Sequence, residues 1–130
     1  MMRKKIWTSV APSIIFYKDV PWIVTGSPGS ERIYSSIAQF LTNMLDKNIS
    51  MDEAVKRPRL HCSIGGTVSM EADRFEPEIV AYLEEMGYHI EKKSDYDFYF
   101  GAIHSVMKCV TKDEFHGAAE VRRDGTSGGI

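Results

Sequence analysis

The spacing of apolar residues changes along the chain, and each change marks an element. Ser13 to Tyr17 and Val20 to Thr25 are short β-prone runs on either side of the polar pair Lys18-Asp19. Two such runs across a polar turn predict a hairpin, and Pro21 puts an edge or a bend in its second arm. After the small-residue turn Gly26-Ser27-Pro28-Gly29-Ser30 the period lengthens. Ile33, Ile37, Phe40, Leu41, Met44 and Leu45 share one face of a helix predicted over 31–46. Ser50 with Glu53 is a capping-box pattern for a short second helix over 51–56, which Pro58 ends.

Farther on, Leu60 to Ile64 and Thr67 to Glu71 are predicted strands around the turn Gly65-Gly66. Pro77 suits the first turn of a helix, with Glu76 as its cap and Ile79, Val80, Leu83 and Met86 as its buried side. Gly87 fits the left-handed position that stops it, and Tyr88 to Lys92 reads as a strand. From Gly101 to Thr111, Ile103, Ser105, Met107 and Cys109 alternate with His104, Val106, Lys108 and Val110, as in a strand. Lys112-Asp113-Glu114 turns, and Phe115 to Ala119 returns. Glu120 to Ile130 is polar and glycine-rich and reads as an extended tail. No repeat or linker divides the chain. The expectation is one domain over 1–130, of α+β class, with antiparallel hairpins and two main helices.

Composition narrows the function. Of 130 residues, 43% are hydrophobic and 26% charged, values of a globular chain. The net charge of -2 argues against a nucleic-acid binder, which carries a basic surface. Two cysteines make no disulfide scaffold, and Cys62 and Cys109 are expected to be buried as small hydrophobes. Met1-Met2-Arg3-Lys4-Lys5 looks like the basic start of a signal peptide. The apolar stretch after it is broken by Thr8, Ser9, Pro12 and Ser13, and no small-x-small cleavage site follows. The expectation is a folded strand, no membrane span and a cytoplasmic location.

The glycine turn admits more than one chemistry. It lacks the lysine of a P-loop. It lies between an apolar strand and an amphipathic helix, where free backbone N–H groups meet negative charge as an anion site or an oxyanion hole. An ordinary strand-to-helix turn needs the same small residues. His61 beside Cys62 has no second cluster at metal spacing, and His89, His104 and His116 are scattered, so no metal is expected. Tyr96, Phe98, Tyr99 and Phe100 are packing residues or a ligand platform. Arg57-Pro58-Arg59 and Arg122-Arg123 predict internal or interface ion pairs.

The order of motifs then matches a known pattern. Thr8-Ser9-Val10-Ala11-Pro12-Ser13 precedes Pro21-Trp22-Ile23-Val24-Thr25-Gly26-Ser27-Pro28-Gly29-Ser30-Glu31-Arg32-Ile33. Gln39, Asn43, Ala54-Val55, Pro58-Arg59-Leu60-His61, Met86-Gly87-Tyr88-His89, Gly101-Ala102, Gly117-Ala118 and Arg122-Arg123-Asp124-Gly125 follow. In these pieces the chain resembles the C-terminal part of the small subunit of γ-glutamyltranspeptidase, also called glutathione hydrolase. The resemblance implies part of an N-terminal-nucleophile-hydrolase-like αββα sandwich and no cofactor. In that family a self-cleaved precursor exposes an N-terminal threonine, which attacks a γ-glutamyl amide with its own amine as base. A serine pair holding the substrate's carboxylate falls on Thr8 and Ser9. A glycine pair supplying oxyanion-hole N–H groups falls on Gly29 and Ser30.

The chain departs from the pattern at Thr8 and at Ser30, where serine stands for glycine, and at Glu120-Val121, where Asp-Pro is usual. His104 takes the place of a glutamine. The family's threonine and the residues that bind the substrate's amine lie upstream of the stretch resembled, and its substrate-binding arginine lies in the large subunit. The resemblance therefore implies a component of γ-glutamyl amide hydrolysis or transfer, on glutathione-type substrates, that is inactive alone. The alternatives are a non-catalytic structural or interaction module and a truncated gene product. Half of a sandwich exposes core surface, so a homo-oligomer or a missing partner subunit is expected.

Overall fold

The computed structural model describes residues 8–129, and the basic segment from Met1 to Lys5 lies outside the described residues. Strand β1 (Ser13–Tyr17) and strand β2 (Val20–Gly26) form the expected hairpin. Lys18 and Asp19 both take positive φ, at 48° and 62°, which is the turn whose twist matches a two-residue hairpin. A register shift between Ile15 and Phe16 falls where Phe16 pairs with Pro21, a residue with no N–H to give the ladder.

The hairpin is half of a four-stranded antiparallel sheet. Strands β6 (His104–Lys108) and β7 (Phe115–Ala118) complete it in the order β1-β2-β6-β7. One face carries the row Ser13, Thr25, Ser105 and Ala118 and the row Ile15, Ile23 and Met107. Helices α1 (Arg32–Leu45) and α2 (Met51–Lys56) pack there. Ile33, Ile37 and Phe40 join Met51, Ala54, Val55, Ile103 and Ala118 in a core. The opposite face carries Ile14, Val24 and Val106 side by side, 57%, 50% and 47% exposed.

A second, three-stranded sheet runs in the order β3 (Leu60–Cys62), β4 (Thr67–Met70), β5 (His89–Lys92). Here β4 and β5 are parallel, against the antiparallel pairing elsewhere. A parallel pair needs a long crossover, and helix α3 (Pro77–Glu85) supplies it. Val68, Met70 and Ala72 pack with Leu60, Phe75, Val80, Leu83 and Ile90 into a second core.

Four expectations need correction. Ile79 and Met86 are exposed, because only the Val80 and Leu83 stripe of the short helix α3 reaches the sheet. Cys62 is exposed at the end of β3 rather than buried. The strand expected from Gly101 begins only at His104, because Gly101 turns with φ 79° and ψ -155°. The expected extended tail is in part core: Glu120 and Arg122 are buried around a single turn of helix at Val121–Arg123. Charged partners inside the fold hold them, which hydropathy does not register.

Candidate active site

The turn between β2 and α1 is built from both ends. Gly26 pairs with His104, and the Thr25 hydroxyl donates to the His104 carbonyl at 3.3 Å, so the strand end is fixed. At the helix end, Arg32 N–H donates to Gly29 C=O and Ile33 N–H to Ser30 C=O, both at 3.1 Å. Glu31 occupies the N-cap position without a side-chain cap bond. Between the two ends, Gly29 has φ 132° and Ser30 has φ 54°. Among the described residues, the N–H groups of Gly29 and Ser30 have no hydrogen-bond acceptor. Two successive free amides at a helix N-terminus present positive partial charge to solvent.

The segment Tyr99–Ile103 lies directly behind this turn. A Cβ on Gly101 would sit 2.2 Å from the Pro28 carbonyl oxygen, and one on Gly29 would sit 3.2 Å from Gly101 Cα. Only two glycines permit this approach. The Ser27 hydroxyl bridges the two strands of chain, accepting from Ala102 N–H at 3.1 Å and donating to Pro28 C=O at 2.8 Å.

That segment is in turn held by charge. Arg32 Nε donates to Tyr99 C=O at 3.2 Å, with its guanidinium over the Tyr99 ring. The Ser36 hydroxyl and Arg59 Nη1 both donate to Phe100 C=O, at 2.7 and 3.3 Å. Ile103 N–H donates to Glu120 Oε2 at 3.0 Å. Glu120 also meets Arg59 Nη2 at 2.6 Å and Arg122 Nη1 at 2.9 Å, and Arg122 pairs with Glu71. Burial pushes the Arg59 guanidinium down to about 10, helped by Arg122 and opposed by Glu120 and Glu71. Burial alone would raise the Glu120 carboxyl, but Arg59, Arg122 and two backbone N–H groups outweigh it and hold the carboxyl below its ordinary range. The two short basic motifs are therefore ion-paired inside the fold at Arg59 and Arg122.

The other residues singled out in the sequence fall as follows. Thr8 and Ser9 are exposed, and the Thr8 hydroxyl accepts from Val10 N–H at 3.1 Å. Ser13 pairs with Thr25, so the chain ahead of β1 leaves the sheet at the same end as the Gly29 turn. Among the described residues, no hydrogen bond joins Thr8 or Ser9 to that turn. A cleft of about 610 Å³ opens at this end, with Gly26, Pro28, His104 and Ser127 in its wall. His61 is buried and hydrogen-bonded, its Nδ1 3.0 Å from the Ser35 hydroxyl. The same hydroxyl lies 3.1 Å from Arg32 C=O, to which it can donate. Among the described residues, no group of three His, Cys, Asp or Glu side chains gathers as a metal site. Nor, among the described residues, is any helix long and apolar enough to cross a membrane.

The sequence alone assigns no positioning role to Ser27 or Glu71 and places Glu120 in an extended tail. The signal for the glutamates was present. Met70-Glu71-Ala72 and Ala119-Glu120-Val121 each set one acid among apolar neighbours, with paired arginines elsewhere to meet them.

The Gamma-glutamyltranspeptidase family model matches residues 2–130. The chain belongs to the gamma-glutamyltranspeptidase family. It is 30% identical to the glutathione hydrolase proenzyme of Escherichia coli over 121 residues, covering 92% of this chain and 20% of that protein. The glutathione hydrolase proenzyme of Bacillus subtilis is 30% identical over 132 residues, covering 98% and 21%. Among solved structures, a highly active W525D mutant of the γ-glutamyltranspeptidase from Pseudomonas nitroreducens superposes with TM-score 0.84 at 26% identity. That likeness covers 98% of this chain and 64% of the other. The fold is thus the α+β architecture of the N-terminal-nucleophile-hydrolase γ-glutamyltranspeptidases. The chain spans about a fifth of the length of these curated relatives.

Proposed function

We propose that this chain contributes the oxyanion-binding side of a γ-glutamyl amide hydrolase or transferase site, acting on glutathione-type substrates. The observation that carries the reading is the pair of free amides at Gly29 and Ser30, without acceptors among the described residues at the start of α1. Their part is to bind the oxygen that becomes negative as the γ-carbonyl carbon goes tetrahedral. The attacking hydroxyl is that of an N-terminal threonine on a segment outside these 130 residues, with its own amine taking the proton. The amine product leaves with that proton. A γ-glutamyl ester remains, and water or an acceptor amine releases it. Thr8 and Ser9, at the same end of the sheet, offer hydroxyls to the glutamyl carboxylate. No step calls for a metal or cofactor.

The exposed row Ile14, Val24 and Val106 supports a site completed by a further chain. In a sandwich this face packs on another sheet, so a partner subunit or a second copy of the chain covers it.

The test is a chimera in which this chain replaces the corresponding fifth of the E. coli glutathione hydrolase proenzyme. The chimera is expected to process itself and cleave a γ-glutamyl anilide, while the 130-residue chain alone does not. A processed, folded chimera without turnover would leave the non-catalytic module as the better account.

A further inference from the structure

We infer that Ser27 and Gly101 are positioning residues that lock the orientation of the Pro28–Gly29 peptide, and so aim the Gly29 N–H out of the fold. The inference rests on the reading of Gly29 and Ser30 as oxyanion donors, but its geometry stands by itself.

A trans peptide carries its C=O and N–H on opposite sides, so fixing the carbonyl fixes the amide. No peptide bond described here is cis. The Pro28 carbonyl is held on the inner side by the Ser27 hydroxyl at 2.8 Å and lies against Gly101 Cα. The Gly29 N–H must then point the other way. The neighbouring peptide follows the same logic: Gly29 C=O accepts from Arg32 N–H along the helix, so Ser30 N–H points back out of the helix start.

The lock is needed because the local backbone does not provide one. The ring of Pro28 fixes its own φ but leaves ψ free. Gly29, at φ 132°, has no Cβ to oppose rotation. A flip of this peptide turns the Gly29 N–H inward and its carbonyl outward, replacing a donor by an acceptor where negative charge must gather. Ser27 opposes the flip with a hydrogen bond. Gly101 supplies a surface that fits the carbonyl only because it lacks a side chain. Gly101 is in turn held by its neighbours, through Phe100 C=O to Arg59 and Ser36 and through Ile103 N–H to Glu120. The buried ion cluster thus reaches the site through the backbone of Phe100 to Ile103.

The test is solution NMR of the 130-residue chain as wild type, Ser27→Ala, Ser27→Thr and Gly101→Ala. Wild type and Ser27→Thr, which keeps the hydroxyl, are expected to show one sharp Gly29 amide resonance and one Pro28 Hα to Gly29 H^N cross-peak. In Ser27→Ala the Pro28 carbonyl ¹³C shift should move and the Gly29 resonance should double or broaden, with the methyl spectrum of the core unchanged. Gly101→Ala should move the same signals, and if it does not fold, Ser27→Ala decides. An unchanged Pro28 carbonyl shift and cross-peak in a folded Ser27→Ala protein would overturn the lock. An inactive chimera beside an intact lock would remove the proposed function alone.

Discussion

One guanidinium joins two buried carboxylates: Arg122 lies 2.7 Å from Glu71 Oε2 through Nη2 and 2.9 Å from Glu120 Oε1 through Nη1. Its Nε adds a bond to Glu71 Oε1 at 2.7 Å, making the Glu71 contact bidentate. Both glutamates are fully buried. Removing the arginine strips partners from two charges that water does not reach. Arg122→Met is expected to lower unfolding free energy by about 3–5 kcal/mol, the cost of breaking a buried pair from one side. Glu71 also meets Arg74 Nη1 at 2.6 Å and Glu120 meets Arg59, so urea denaturation measures the loss, and one below about 1 kcal/mol would mean that these two arginines suffice for both acids.

Acid should destabilise the fold in two stages. Burial, then the nearby Arg32, hold the His61 ring below its ordinary 6.5, against the pull of Glu31. The unfolded chain therefore takes up this proton first, and stability falls as pH drops from about 6.5 through the lowered folded value. The lowered Glu120 carboxyl contributes stability that is present above 4.5 and lost as pH falls through its folded value. Urea midpoints taken from pH 7.5 downward should show both losses. His61→Gln should remove the first and keep the second.

Ser30 holds φ 54°, a region that costs a side-chain-bearing residue about 1–2 kcal/mol. Glycine avoids that cost but loses about 0.5–1 kcal/mol of chain entropy on folding. Ser30→Gly should thus stabilise by roughly 0.5 kcal/mol, raising the thermal midpoint slightly. A clear drop in the midpoint would show that the serine side chain gives the turn something the backbone does not.

The uncovered sheet face predicts association. With Ile14, Val24 and Val106 in register across three strands, the 130-residue chain should self-associate at micromolar concentration. Val24→Lys with Val106→Glu should shift it toward monomer with little change in thermal midpoint, since neither side chain is in the core. Sedimentation velocity reads the outcome, and a wild-type monomer at all concentrations would count against the face as an interface between copies.

Local signals carried much of the architecture. The Ile33 to Leu45 periodicity, the Ser50–Glu53 cap, Pro77 and the Gly87 stop each placed an element close to its observed bounds. These features depend on neighbours in sequence, which a reader of the chain can see. The turn at Gly29 was legible as a small-residue turn between a strand and a helix. What holds it was not, because Ser27 meets Ala102 across 75 positions and Arg122 meets Glu71 across 51. Long-range polar pairing has no period. It misled the reading of Glu120 to Ile130, where polarity suggested exposure and ion pairing produced burial.

The buried cluster also imposes an order on synthesis. Arg59 and Glu71 emerge from the ribosome well before Glu120 and Arg122, yet both sets share one charge-balanced interior. Until the later residues arrive, Arg59 has no Glu120 to neutralise it, and closing the two cores around it is opposed by desolvation. Packing of both cores around these charges therefore waits on the stretch that carries Glu120 and Arg122.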